Sequence, residues 1–297
     1  MPTKYNEYVK SPDMEIEYTE EMIDEIMKCK NDHEYFIKNY VKISTTDDGE
    51  RFFDTPYPYQ IELWNKFRYN RKNIALCSRQ SGKTECVGAF TLWYCCFHSH
   101  KRIGIGSNKE RSAKLFLGRI KFMYERLPLF LKPGVRNWAE KSVVFDNNTR
   151  LDIAATSKDA FRGDPLSMLI LDELAFVDPP WKAEEFWASN YPTISASKTS
   201  KIIIISTPNG LHNLYHRLYT AAKNKKNTFI ESTYDWMAVP SRDEEWKKEV
   251  LSDMTEIKWN QEFGCVGEKT LVCINSNVGN IQIGDLYEKL KTEREYI

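Results

Sequence analysis

An α/β fold with a mainly parallel central sheet is predicted by three features of this 297-residue sequence. Helical stretches alternate with short β-rich runs from residue 60 onward, the pattern of strands joined by crossover helices. Two runs, MLILDE and KIIIIST, are too short and too uniformly apolar for anything but strands buried on both faces, and they belong at the sheet's centre. The strand NIALC leads straight into SRQSGKT and then a long helical stretch, which is the context a phosphate-binding loop requires.

In chain order, residues 1–50 read as an N-terminal helical arm. Thr19 caps EEMIDEIMKCK, Asp32 caps HEYFIKNYVKI, and TTDDGE closes the arm as a turn. QIELWNKFRY is helical, NIALCS a strand, GKTECVGAFTLWYCCF a helix, RIGIGS a strand and KERSAKLFLGRIKFMYERL a helix. KSVVFDNNTRLDIAAT reads as a hairpin turning at NN, laid beside the main sheet. After the two apolar strands come a helix (GLHNLYHRLYTAAKN), a strand (TFIESTY) and a helix (RDEEWKKEVLSDM), so the domain spans 51–264.

The totals exclude several classes. A hydrophobic content of 41% supports a full globular core. Lys plus Arg equals Asp plus Glu at 42 each, so any nucleic-acid contact must come from a local patch rather than a net field. The first residues carry no apolar run with a cleavage site, and no stretch approaches the roughly eighteen apolar residues of a membrane span. The expectation is a soluble, intracellular protein. Seven cysteines in no disulfide-like framework fit a reducing compartment, with Cys77, Cys86, Cys95 and Cys96 as small core residues. CCFHSH lacks zinc-finger spacing, and His212 and His216, four apart on an expected helix, read as surface histidines.

The chemistry concentrates at the loop. Backbone N–H groups of Ser78, Arg79, Gln80, Ser81 and Gly82 and the helix N-terminus are candidates to meet phosphates; Lys83 reaches the β and γ oxygens and Thr84 holds Mg²⁺. Cys77 stands where the usual pattern has its first glycine, which is tolerable if its φ stays negative. Asp172 ends a buried strand, where it can position Mg²⁺, and the adjacent Glu173 can orient an attacking water, which favours hydrolysis over transfer. RIGIGS intervenes between loop and acidic strand, so the class is a P-loop NTPase of the RecA-like, additional-strand, catalytic-glutamate type. Ser206 and Thr207, at the end of the next apolar strand, are placed to sense the γ-phosphate. Tyr59 and Gln60 are candidates to hold adenine. Arg79 and Arg162 are candidate charge stabilisers, a role worth about 10³–10⁵ in rate.

Together, YFIKNYVKI, PYQIELW, SRQSGKT, FRGDPLSMLILDELAF and SKIIIISTPNGLHNLYH resemble, in order and approximate spacing, the ATPase domain of the large terminase subunit of tailed bacteriophages, from about Tyr35 to Gly264. That family's loop commonly departs from the glycine rule and carries an arginine. The resemblance implies that Lys83 and Thr84 hold ATP and Mg²⁺, that Asp172 is the acidic metal residue and Glu173 the catalytic carboxylate, and that Ser206 to Pro208 form the coupling motif. It implies double-stranded DNA as the translocated partner, a portal protein, a small terminase subunit and a homo-oligomeric ring. It also implies the cytoplasm of an infected bacterial host, transiently at the procapsid portal, with no membrane. Large terminases continue into a nuclease domain, and the residues after Gly264 are too few to hold one.

The tail, 265–297, reads as two strands around NSNVGN and a short helix, and is similar to the N-terminal fragment of a split intein. In that reading the Cys265 thiol attacks the Gly264 carbonyl to form a thioester. The family's Thr-x-x-His motif and final Asn are absent, so a separately encoded chain would supply them together with the nuclease half. The alternative is a superfamily 2 helicase-like, DNA-dependent ATPase with an ordinary C-terminal hairpin, since LDELA and Gln60 suit it. Such helicases need a second RecA-like domain, for which there is no room after Ile205. A non-catalytic nucleotide-binding scaffold is opposed by Glu173.

Overall fold

In the computed structural model, residues 8–45, 49–163, 165–265, 271–275 and 279–282 are described. The chain begins with helices α1 (Glu20–Asn31) and α2 (His33–Tyr40), strands β1 (Lys42–Thr45) and β2 (Gly49–Phe52), and helix α3 (Pro58–Tyr69). Strand β3 (Lys72–Cys77), α4 (Lys83–Phe97), β4 (Arg102–Ser107) and α5 (Glu110–Glu125) follow. Next come β5 (Val135–Trp138), β6 (Ser142–Phe145), β7 (Arg150–Ala155), β8 (Met168–Asp172), α6 (Pro180–Ser195) and β9 (Lys201–Ser206). The remainder is α7 (Leu214–Lys223), β10 (Ile230–Tyr234), α8 (Glu244–Asp253), α9 (Glu256–Trp259), a π-helical turn over Asn260–Gly264, β11 (Leu271–Asn275) and β12 (Gly279–Gln282).

Eight strands form one sheet in the order β10-β3-β9-β8-β4-β7-β6-β5. From β10 through β7 every neighbour is parallel, and only β6 and β5 add antiparallel pairs. The loop-bearing β3 is therefore separated from the acidic β8 by β9, as in RecA-like P-loop NTPases of the additional-strand type. RIGIGS, which intervenes in sequence as β4, lies on the far side of β8, and KIIIIS is the strand that stands between.

The uniform apolar runs feed two cores. Ala75, Ile170, Ile203 and Ile205 join the layer with α4 and α5, while Ile74, Leu169, Leu171, Ile202 and Ile204 pack on the opposite face with residues of α6 and α7. Each leucine or isoleucine among them contributes roughly 1.5–3 kcal/mol by burial, which is why no polar residue interrupts 168–171 or 202–205. α4 is buried almost all round, packed against α2, α3 and α5.

The N-terminal arm packs into the same core through Cys29, Phe36, Ile37 and Val41. Thr19 and Asp32 cap α1 and α2 as their sequence positions imply, accepting from Met22 and Tyr35 amides. α2 stops at Tyr40, however: the β-branched run VKIST leaves the helix and pairs as β1 with β2. The NN hairpin forms as β6 and β7, but β7 also pairs in parallel with β4, so the hairpin extends the main sheet rather than lying beside it. α6 has no counterpart in the expected elements. Pro180 sits in its first turn, Pro192 lies inside it, and Ala183, Phe186, Asn190 and Ile194 form a buried helical stripe. His212 precedes α7, whose N-cap is Asn213, so only His216 lies on that helix. β11 and β12 pair antiparallel, whereas the middle of the expected NSNVGN turn and the short helix expected after the strands lie outside the described residues. Among the described residues no helix is long and apolar enough to cross a membrane.

Candidate nucleotide-binding site

Cys77 is the last residue of β3, fully buried and paired with Tyr234 of β10. The left-handed positions of the loop fall later, at Gln80 (φ 52°) and Gly82 (φ 79°). A glycine is therefore not needed at 77, and burial pushes the Cys77 thiol up to about 12, leaving it uncharged beside the site. Gly82 is constrained twice over, since a Cβ there would lie 2.8 Å from Gln60 Nε2 in addition to the left-handed strain.

The loop is braced from within and from α3. Ser81 Oγ donates to the Ser78 carbonyl at 2.9 Å, and the Tyr59 hydroxyl donates to the Ser81 carbonyl at 2.5 Å. Gln60 spans two elements: Oε1 accepts from the Tyr57 amide at 2.9 Å and Nε2 donates to the Gly82 carbonyl at 3.3 Å. Trp64, one turn on, donates from Nε1 to the Cys86 carbonyl at 2.8 Å. The candidate adenine residues Tyr59 and Gln60 are thus buried supports of the loop's carbonyls. The first N–H groups of α4 have no intrahelical acceptor, which makes Gly82, Lys83 and Thr84 the start of an anion site.

Asp172 and Glu173 lie at the same edge of the sheet. Lys83 Nζ is 2.9 Å from Glu173 Oε1. The other carboxylate oxygen, Oε2, accepts from the Thr207 amide and hydroxyl, each at 3.1 Å, with Ser206 Oγ at 3.3 Å. Glu173 itself is left-handed (φ 53°), an uncommon conformation for a residue with a side chain, fixed by its amide on the Ile205 carbonyl at 2.9 Å. β3, β8 and β9 thereby meet through one carboxylate. The sequence suggests that Ser206 and Thr207 sense phosphate; in the structure they grip the glutamate.

Burial, followed by the neighbouring Glu173 charge, raises the Asp172 carboxyl to about 7, with Lys83 opposing the rise. Its Oδ1 is buried with no hydrogen-bond partner. For Lys83, burial disfavours the charged form, but the pull of Glu173 and Asp172 outweighs it and raises the ammonium above its ordinary value. A costly, unpartnered carboxylate oxygen within reach of the Lys83 charge is the kind of donor a hard, oxygen-seeking divalent cation takes.

Of the remaining candidates, Arg79 forms an ion pair with Glu262 at 2.9 Å, Arg162 pairs with Asp159 at 3.4 Å in the turn after β7, and Cys265 is buried with Sγ on the Tyr234 carbonyl at 3.4 Å. Burial pushes the Cys265 thiol above its ordinary range. Three residues without any signal in the sequence also touch the loop. The Tyr234 carbonyl accepts from the Ser78 amide at 2.8 Å, the Glu262 carbonyl from the Arg79 amide at 2.7 Å, and Arg242 bonds the carbonyls of Arg79 and Gln80 at 3.0 and 2.9 Å.

The sequence profile described as terminase large subunit, T4likevirus-type, N-terminal, matches residues 74–271, and so runs seven residues past Gly264. Among solved structures, the ATPase domain of the Thermus phage P74-26 large terminase is similar with a TM-score of 0.55 and 22% identity, covering 66% of this chain and 88% of that one. The HK97 bacteriophage large terminase aligns with a TM-score of 0.65 and 16% identity, over 83% of this chain and 57% of that one. A large terminase from a thermophilic bacteriophage, solved in complex with ADP, gives 0.57 and 12% over 71% and 53%. At these identities the likeness is one of fold. The chain spans a little over half of the last two of these terminases.

Proposed function

This chain belongs to the terminase large-subunit family, matching its T4likevirus-type N-terminal part, and from that premise we propose that it is the ATP-hydrolysing motor domain that drives double-stranded DNA into a phage procapsid. The observation that carries the reading is the Glu173 carboxylate, bound at once by Lys83 from the loop and by Thr207 from the end of β9. ATP would lay its phosphates over residues 78–84, and its β and γ oxygens would compete for the Lys83 ammonium. Glu173, released on that side, would orient a water and take its proton as the water oxygen bonds to the γ phosphorus and the bond to the β–γ bridging oxygen breaks, so that ADP and inorganic phosphate leave. Thr84 and Asp172 would hold Mg²⁺, which when bound neutralises charge on the phosphates. Ser206 and Thr207, fastened to Glu173, would pass its change of partner into β9 and the segment leading to α7. Tyr59 and Gln60 remain the candidates beside adenine, and Arg79 and Arg162 the candidate charge stabilisers.

Family membership alone supports the wider setting: a homo-oligomeric ring, a portal protein, a small terminase subunit, and the cytoplasm of an infected bacterium with transient docking at the procapsid. The nucleotide reading draws further support from the large terminase of the thermophilic bacteriophage, solved with ADP and with ATP-gamma-S. The test is phosphate release from ATP and magnesium by the purified chain, with and without double-stranded DNA. Turnover that DNA accelerates is expected; ATP bound without turnover in either arm would leave a non-catalytic scaffold instead.

The tail belongs to the same proposal as a split-intein fragment joined in trans to a nuclease-bearing chain. The Gly264–Cys265 junction and the β11–β12 hairpin support it, while the family match running to residue 271 weighs toward an uninterrupted domain. In the splicing step the Cys265 sulfur bonds to the Gly264 carbonyl carbon, the peptide C–N bond breaks, and the thiol proton passes to the freed amine. The buried thiol would first have to leave the Tyr234 carbonyl. Cys265→Ala is expected to retain ATP hydrolysis and to block formation of a longer, tail-free product on mixing with the partner chain; a longer product from the alanine variant would exclude this chemistry.

A further inference from the structure

Resting on the nucleotide-site reading, we propose that Arg242 is a positioning residue for the phosphate loop, holding its outward carbonyls so that the amides that follow face the triphosphate. The guanidinium lies 3.3 Å from Ser78 Oγ, 3.0 Å from the Arg79 carbonyl and 2.9 Å from the Gln80 carbonyl. Those acceptors span the three residues between the end of β3 and Ser81, where the chain reverses toward α4. Gln80 is the left-handed residue of that reversal, a conformation that a side chain disfavours. A planar, always charged donor on the Gln80 carbonyl offsets that preference; a lysine cannot serve all three acceptors in the same geometry.

Arg242 is itself held. Its guanidinium stacks over the rings of Trp246 and Phe263, 4.7 and 5.3 Å from their centroids. Those rings belong to a small cluster with Trp236 and Trp259. Glu262, in the same segment, also grips the loop, through its carbonyl on the Arg79 amide and its carboxylate on the Arg79 side chain. With Lys258 on its second oxygen, Glu262 is ion-paired at both ends although its side chain is only 5% exposed. Residues 234–263 thus form a bracket around the outer side of residues 78–80, and Arg242 is its most heavily bonded member.

The test is ATP calorimetry and steady-state hydrolysis on the full chain carrying Arg242→Ala or Arg242→Lys, together with nucleotide-free melting. Loss of three bonds from a charged donor is expected to weaken ATP binding about 10- to 100-fold in the alanine variant, with kcat changed far less. Arg242→Lys, which keeps the charge over the rings, should fall between. An alanine variant that melts early yet binds ATP as the wild type does would reduce Arg242 to packing and overturn the proposal. If alanine prevents folding, unaltered affinity in the lysine variant overturns it equally. Wild-type protein that takes up no ATP would instead overturn the nucleotide reading itself, so the two failures are distinct.

Discussion

Replacing Glu173 with glutamine is expected to leave ATP uptake intact and to lower kcat by about 10²- to 10⁴-fold, the usual contribution of a positioned general base. The amide is nearly isosteric, so the contacts from the Thr207 amide and hydroxyl can still be met by its oxygen, and the left-handed backbone at 173 need not change. What is lost is the negative charge that Lys83 faces and that would draw a proton from the attacking water. Lys83, 2.9 Å from that carboxylate in the wild type, is then free for phosphate, so affinity should hold or tighten. Phosphate release and calorimetry on one preparation separate the two effects. Normal turnover in this variant would remove Glu173 from the chemistry.

Lys83→Ala is expected to abolish detectable ATP uptake. A charge-assisted contact is worth about 1.5–3 kcal/mol, or roughly 10- to 100-fold in affinity, and here the loss is compounded. The ammonium is nearly buried against Glu173, and it is the first of the two charges, Lys83 and then Arg119, that oppose the rise of the Asp172 carboxyl. Without it the two acidic side chains face an incoming triphosphate uncompensated, and breaking a buried ion pair by removing one partner typically costs about 3–5 kcal/mol. An alanine variant that binds ATP normally would show that the loop is not the phosphate site.

The parts of this site that are readable in the sequence are those fixed by chain continuity: a strand entering SRQSGKT, and apolar strands ending in Asp172–Glu173 and Ser206–Thr207. Their meeting at one sheet edge follows from parallel strands, whose ends align whatever the connections between them. The roles of single side chains are less accessible. Nothing local indicates that Tyr59 and Gln60 serve loop carbonyls, or that Thr207 binds the glutamate. Arg242 and Glu262 are invisible because they reach Arg79 across 163 and 183 residues of chain. α6 is obscured by Pro180, which its first turn tolerates, and by Pro192, which stands inside it, and β1 by a helical pattern that a β-branched run ends early.

Titration of the wild-type chain with ATP in the presence of magnesium, set beside Lys83→Ala under the same conditions, bears most directly on whether a loop beginning at Cys77 cradles a triphosphate. Saturable heat with one site per chain in the wild type, absent from the variant, is the expected outcome. No uptake of ATP by the wild type, or equal uptake by both, would contradict it.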